Sequence, residues 1–265
     1  MTPSGRDKPT ILGASSKLRW LRQWVPFGGR TLGYGIISLT LGPLTRGRAS
    51  EWAARKWSEV STRQLGIELD ARGHEHVPAG SLVYASNHQS LIDILVLGAT
   101  LDQDYKWAAK RSLMNVPVLG WHLRLAGHVS VDRRAGLDAA IAVGQAFESV
   151  LRREQRLLVF PEGTRSTYGL LKDFKSGAFH AAVRAGRPVV PIAIDGTFSL
   201  LSRHEDHIER QRYRRVFVRI AEPIEADSAL PEADRVNDLR DRTHAAVATM
   251  LEEIRGKPAQ LHAEA

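Results

Sequence analysis

The chain has 265 residues, 43% apolar and 25% charged, with no cysteine. This balance suits one large globular domain or two small ones and excludes disordered, collagen-like and disulfide-stapled proteins. Lack of a thiol also excludes cysteine nucleophiles and thiolate metal sites, and the formal charge of +8 is uneven: residues 1–50 hold eight basic residues and one acid.

In the N-terminal segment Leu18, Leu21 and Val25 alternate with Lys17, Arg19 and Arg22. The spacing predicts a short surface helix ended by Gly28-Gly29. Trp20, Trp24, Trp52 and Trp57 are four of the six tryptophans, and amphipathic rings mixed with positive charge suit the headgroup layer of an anionic membrane. Thr31 to Thr45 is an uncharged run between Arg30 and Arg46. As a helix it would reach about 22 Å against a hydrocarbon core of about 30 Å. Gly33, Gly35, Gly42 and Pro43 weaken it further, so the expectation is a partly embedded or re-entrant helical hairpin. The run starts late and leads into Arg46 and Arg48, which does not fit a signal peptide; a cytoplasmic chain is expected. The alternatives are a solvated tail or a nucleic-acid arm. A solvated tail has no use for its Trp or for Ile36-Ile37, and no nucleic-acid motif is present, so a membrane surface is the expected partner.

From residue 81 strands and helices alternate. Leu82–Ser86, Tyr105–Ala109, His128–Val131, Arg156–Phe160, Val189–Ile194 and Val216–Ile220 read as strands, and Leu91–Leu101, Leu137–Arg153 and Ser176–Ala185 as helices. Pro231 to Arg255 closes the chain as an amphipathic helix carrying Val236, Leu239, Thr243, Val247, Met250 and Leu251. The pattern predicts an α/β fold with a largely parallel sheet flanked by helices. It divides into a membrane-binding helical segment, residues 1–65, and a catalytic domain, residues 66–265.

Chemistry in such sheets gathers just after strands. After Leu82–Ser86 comes Asn87-His88-Gln89-Ser90-Leu91-Ile92-Asp93. Five residues on a regular helix rotate by about 140°, so His88 and Asp93 meet only if His88 lies in the turn before the helix. Ser90 with Asp93 also reads as a capping box, and a first-turn carboxylate can serve both roles. A carboxylate-oriented His is a general base for an alcohol, the carboxylate setting its tautomer; a lone loop His is otherwise merely solvated.

The strand Arg156–Phe160 runs into Pro161-Glu162-Gly163-Thr164-Arg165-Ser166. Pro161 cannot continue a central strand and Gly163 permits a tight turn, so Thr164 and Arg165 present free backbone N–H groups. An Arg fork among such donors can clamp phosphate; alternatively, Glu162 and Arg165 simply pair and brace the turn. Lys110-Arg111 and Arg133-Arg134 add cations at other strand ends, on the same sheet edge if the strands are parallel.

Asn87-His88-x4-Asp93, Ala109-Lys110-Arg111-Ser112-Leu113, Gly127 to Arg133, Phe160 to Ser166 and Val190-Pro191-Ile192 together resemble the ordered blocks of the glycerolipid acyltransferases, closest to the 1-acylglycerol-3-phosphate O-acyltransferases. The resemblance covers roughly residues 70 to 225. Phe174-Lys175-Ser176-Gly177 is similar too, while Ser130 departs from a usually bulky apolar position. The resemblance implies His88 as base, Asp93 as its partner and Arg165, Lys110 and Arg133 on an acceptor phosphate. It also implies that Glu162 and Gly163 shape that site and that Pro191 lies near it. The implied reaction moves an acyl group from acyl-CoA or acyl carrier protein to lysophosphatidic acid at the cytoplasmic face of a membrane, held peripherally or monotopically. Neither a cofactor nor a metal is expected. Another acceptor, a thioesterase and a non-enzymatic membrane or nucleic-acid module are the rivals.

Overall fold

The computed structural model describes residues 14–102, 105–132, 136–201 and 214–256. In chain order its elements are α1 (Ala14–Leu41), α2 (Arg48–Gln64), β1 (Glu68–Arg72), β2 (Val83–Ser86), α3 (Ile92–Thr100), β3 (Tyr105–Lys110), α4 (Leu119–Leu125) and β4 (Val129–Val131). There follow α5 (Leu137–Arg152), β5 (Arg156–Val159), α6 (Gly177–Ala185), β6 (Val189–Asp195), β7 (Arg215–Ile220) and α7 (Glu232–Arg255).

The seven strands form one sheet in the order β1-β7-β6-β2-β5-β3-β4. Every neighbouring pair is parallel except β6 with β7, as the largely parallel expectation required. Helices cover both faces. Tyr84, Leu158, Val190, Ile192 and Ile194 join the Leu95, Val96 and Leu97 cluster of α3 on one face; Val83, Leu157, Val159, Val189 and Ala193 join the Phe147, Phe179 and Leu239 cluster of α5, α6 and α7 on the other. Alternate residues of each central strand thus go to opposite layers, and strands buried on both faces carry near-continuous apolar runs.

The six expected strands and four expected helices of the body all form, within a residue or two. Three features differ from expectation. Gly28-Gly29 does not end the first helix: α1 runs unbroken to Leu41, so the expected hairpin of Thr31–Thr45 is instead the last turns of α1 and the turn leading to α2. Nothing lies near either glycine, whereas Phe27 packs against the core beside Trp57, and that burial outweighs a helix penalty of about 1 kcal/mol per glycine. Strand β1 and helix α4 were not foreseen. No described helix is long and apolar enough to cross a membrane.

Strand β2 leads through α3, on one face, to β3; β5 leads through α6, on the other face, past β2 to β6. The chain therefore departs in opposite directions from two adjacent parallel strands, which opens a crevice at their C-terminal ends.

Candidate active site

The His88 loop follows β2 and the Phe160–Ser166 loop follows β5, so the sheet alone brings together segments more than seventy residues apart. The two loops are cross-linked: Ser166 N–H donates to the His88 carbonyl at 2.7 Å, and His88 N–H donates to the Glu162 side chain at Oε1, at 2.8 Å. His88 is buried, and its ring stacks on Phe160 with centroids 4.0 Å apart.

His88 Nδ1 lies 2.8 Å from Asp93 Oδ2. The geometry is the one the spacing demanded, with His88 in the turn and Asp93 in the first turn of α3. Asp93 is fully buried and its remaining capacity is filled: Oδ2 accepts the N–H groups of Gln89 and Ser90 at 2.7 and 2.9 Å, and Oδ1 accepts the Thr197 hydroxyl at 2.5 Å. Half of the expected capping box forms, because the carboxylate reaches back to Ser90 N–H. The other half does not, since Ser90 Oγ donates to the Leu201 carbonyl and accepts from Ile92 N–H. With Nδ1 aimed at a carboxylate, the ring proton sits on Nδ1 and Nε2 keeps its lone pair.

In the second loop Gly163 has φ +74, and a Cβ there would lie 2.9 Å from Cε of Lys175. Glycine is therefore needed both for the turn and for the close pass of a lysine. Glu162 braces the His88 loop through Oε1, and its buried Oε2 makes no hydrogen bond, so the alternative in which it pairs with Arg165 is not realised. Burial pushes the Glu162 carboxyl up to about 7, against the lowering effects of the His88 N–H and of Lys172. Lys172 Nζ donates to the Thr164 hydroxyl at 2.6 Å, and Arg165 is half-buried on the same loop.

Asn87 locks the base of the site: its side chain donates to the Ile194 carbonyl at 2.9 Å and accepts Ile194 N–H at 2.8 Å, continuing the β2–β6 pairing. Lys110 is exposed at the end of β3, one strand beyond β5 on the same edge. Pro191 lies within β6 beside Ala85, three residues before Ile194, and so beneath the site rather than in it. Arg133 falls outside the described residues. Four contributors were not foreseen. Thr197 touches Asp93, Lys172 touches Thr164, and Asp195 with Arg255 holds the loops: the Arg255 guanidinium donates to Asp195 Oδ1 and the Gly169 carbonyl, and Gln89 Nε2 donates to the same two acceptors. Only Lys172 lies close in sequence to the residue it touches; the others depend on contacts across 60 to 106 residues.

Beside the site lies an apolar cavity of about 250 Å³. Leu91 and Ile92, which follow the His88 loop directly, line it together with Trp24 and Phe27 of α1, Trp57 of α2 and Trp107 of β3.

Comparison with known proteins gives the same result from several directions. The acyltransferase family model matches residues 68–195. The 1-acyl-sn-glycerol-3-phosphate acyltransferase of Saccharomyces cerevisiae is 31% identical over 230 residues, which are 85% of this chain and 74% of the yeast protein. The human alpha enzyme of the same name is 33% identical over 190 residues, 71% of this chain and 65% of its own length. The crystal structure of the 1-acyl-sn-glycerophosphate acyltransferase PlsC from Thermotoga maritima shares the fold, with a TM-score of 0.68 at 23% identity, over 90% of this chain and 100% of that one.

Proposed function

This chain belongs to the 1-acyl-sn-glycerol-3-phosphate acyltransferase family, and we propose that it moves a fatty acyl group from acyl-CoA or acyl carrier protein to the free hydroxyl of 1-acyl-glycerol 3-phosphate, giving phosphatidic acid. The observation that carries this reading is the His88–Asp93 pair at 2.8 Å, set in one crevice with the Glu162-Gly163-Thr164-Arg165 loop.

In the proposed reaction Nε2 of His88 takes the proton of the acceptor hydroxyl as its oxygen attacks the thioester carbonyl. The C–S bond then breaks, and the imidazolium returns the proton to the leaving thiolate. Asp93 holds the tautomer and balances the transient positive charge. A thioester is already activated, so neither an acyl-enzyme nor a further cofactor is needed. The base contributes about 10² to 10⁴ in rate, and alignment of the two substrates supplies much of the rest. Arg165 and the backbone N–H groups around Thr164 take the acceptor phosphate, helped by Lys172, Lys110 and Arg133. The apolar cavity beside His88 takes the acyl chain. Residues 1–65 meet the lipid surface from which the lysolipid is drawn, leaving residues 66–265 as the catalytic domain at the cytoplasmic face.

An acceptor panel with labelled acyl-CoA and lipid vesicles tests this. His88→Ala is expected to lower kcat by about 100-fold or more. Arg165→Ala is expected to raise KM strongly for lysophosphatidate and little for a neutral lysolipid. A His88→Ala rate within a few fold of wild type refutes the assignment, and thioester release independent of lysolipid identifies a thioesterase instead.

A further inference from the structure

The cavity is not apolar throughout. His122 of α4 and His128, just ahead of β4, stand side by side in its wall with ring centroids 5.9 Å apart. Each ring has one nitrogen engaged. His128 Nδ1 accepts the backbone N–H of Trp107 at 3.2 Å, so its proton sits on Nε2. His122 Nδ1 lies 2.6 Å from Ser38 Oγ on α1, which in turn lies 2.9 Å from Ser50 Oγ on α2. Neither Nε2 has a hydrogen-bond partner among the described residues, neither is fully buried, and both residues line the cavity.

Another polar group of the lining is used up: the Thr31 hydroxyl donates to the Phe27 carbonyl and accepts from Trp57 Nε1. Burial holds both imidazoles below their ordinary value, and the nearby Lys106 acts in the same direction. Neutral rings offer His128 Nε2–H as a donor and, with His122 Nδ1–H donating to a Ser38 hydroxyl whose own hydrogen goes to Ser50, His122 Nε2 as an acceptor. A donor and an acceptor on adjacent rings match an alcohol, which both accepts and donates, and the donor alone serves a ketone. A plain alkyl chain leaves both nitrogens facing hydrocarbon, which is unfavourable.

We propose that His122 and His128 form a polar subsite in the acyl cavity for a neutral oxygen function, a hydroxyl or a keto group, carried on the acyl chain. The proposal rests on the reading that this cavity holds that chain. Trp107 lies three residues before the end of β3, which puts His128 about 10 Å below the sheet edge that carries His88. The oxygen recognised is thus well down the chain and away from the thioester. A few well-placed polar groups in an apolar pocket select ligands in this way, because the ligand that lacks the matching group leaves them unpaired.

The test uses the full chain, lysophosphatidate in vesicles and two acyl-CoA donors of equal length, one plain and one with a mid-chain hydroxyl. Wild type is expected to favour the hydroxylated donor about tenfold in kcat/KM, and His128→Phe and His122→Phe to bring the ratio near one. A wild-type ratio near one overturns the proposal without any variant, and so does a preference that survives both substitutions. Failure with every donor, the same chains on acyl carrier protein included, would instead count against the acyltransferase reading, since transfer of the plain chain alone from either carrier is enough to uphold that reading.

Discussion

Two buried carboxylates that both accept a hydrogen bond from His88 have opposite situations. Asp93 is surrounded by donors, whereas Glu162 has one donor for two oxygens. The pairing of His88 with Asp93 was legible because five residues separate them and the turn is short. Thr197 was not legible, for it reaches Asp93 across 104 residues and only the fold can bring it there. Glu162 leads to a pH prediction. Well below pH 4.5 the side chain is protonated both folded and unfolded and makes no difference. Between about 4.5 and 7 the unfolded chain releases the proton while the buried carboxyl keeps it, so stability falls as pH rises. At about 1.4 kcal/mol per pH unit the loss amounts to about 3 kcal/mol, complete above pH 7. Glu162→Gln keeps an acceptor for His88 N–H without the ionisation. Urea unfolding from pH 5 to 8 is expected to show the variant gaining on wild type over that window; a constant difference would count against it.

At the scale of elements, α7 does more than close the hydrophobic layer. It ends at Gly256, with φ +69, and its final Arg255 grips Asp195 at the end of β6 and Gly169 after β5. Gln89, after β2, binds the same two groups, so one helix terminus fastens all three segments that surround His88. Arg255→Leu is expected to destabilise the fold by about 2 kcal/mol, because it strips a mostly buried ion pair of one partner. It is also expected to lower kcat about tenfold with less change in KM, by loosening the loop that orients His88. Arg255→Lys should recover part of both, since a lysine reaches one acceptor but lacks the fork. Thermal unfolding and steady-state kinetics measure the two effects; an intact kcat in Arg255→Leu would make the brace purely structural. The helix itself was legible from its long apolar period, while its last contact was not. Strand β1 escaped for a different reason: Glu68-Leu69-Asp70-Ala71-Arg72 is an edge strand with only two apolar residues, held by parallel pairing to β7 and by the Asp70–Arg219 ion pair. Helix α4 is seven residues long, too short to show a period.

Across the whole molecule, the alternation of strand and helix was legible because each βα unit must cover the sheet, and the parallel core followed from it. The reversed direction of β7 was not, for a strand's own alternation is the same either way along the chain. The N-terminal helices do structural work beside the lipid-facing role proposed for them. Trp24, Phe27 and Trp57 wall the cavity, so removing residues 1–60 would open it as well as detach the segment proposed to meet lipid. The lipid-facing role is better tested on the opposite side of α1. Leu21, Val25, Leu32 and Ile36 are spaced to fall on one stripe of that helix, all about half exposed, next to a run of basic residues. Half-burying such a side chain in the interface contributes about 1 kcal/mol, so two of them together are worth roughly 10- to 30-fold in partitioning. Leu32→Asn with Ile36→Asn is therefore expected to weaken binding to anionic vesicles by that factor in co-sedimentation, with thermal stability little changed because neither side chain supports the core. Arg22→Gln with Arg48→Gln, both exposed, should weaken binding to anionic vesicles but not to neutral ones, and should flatten the salt dependence. If the apolar pair changes nothing while the arginine pair removes all binding, the segment is held by charge alone and its exposed stripe faces something other than lipid.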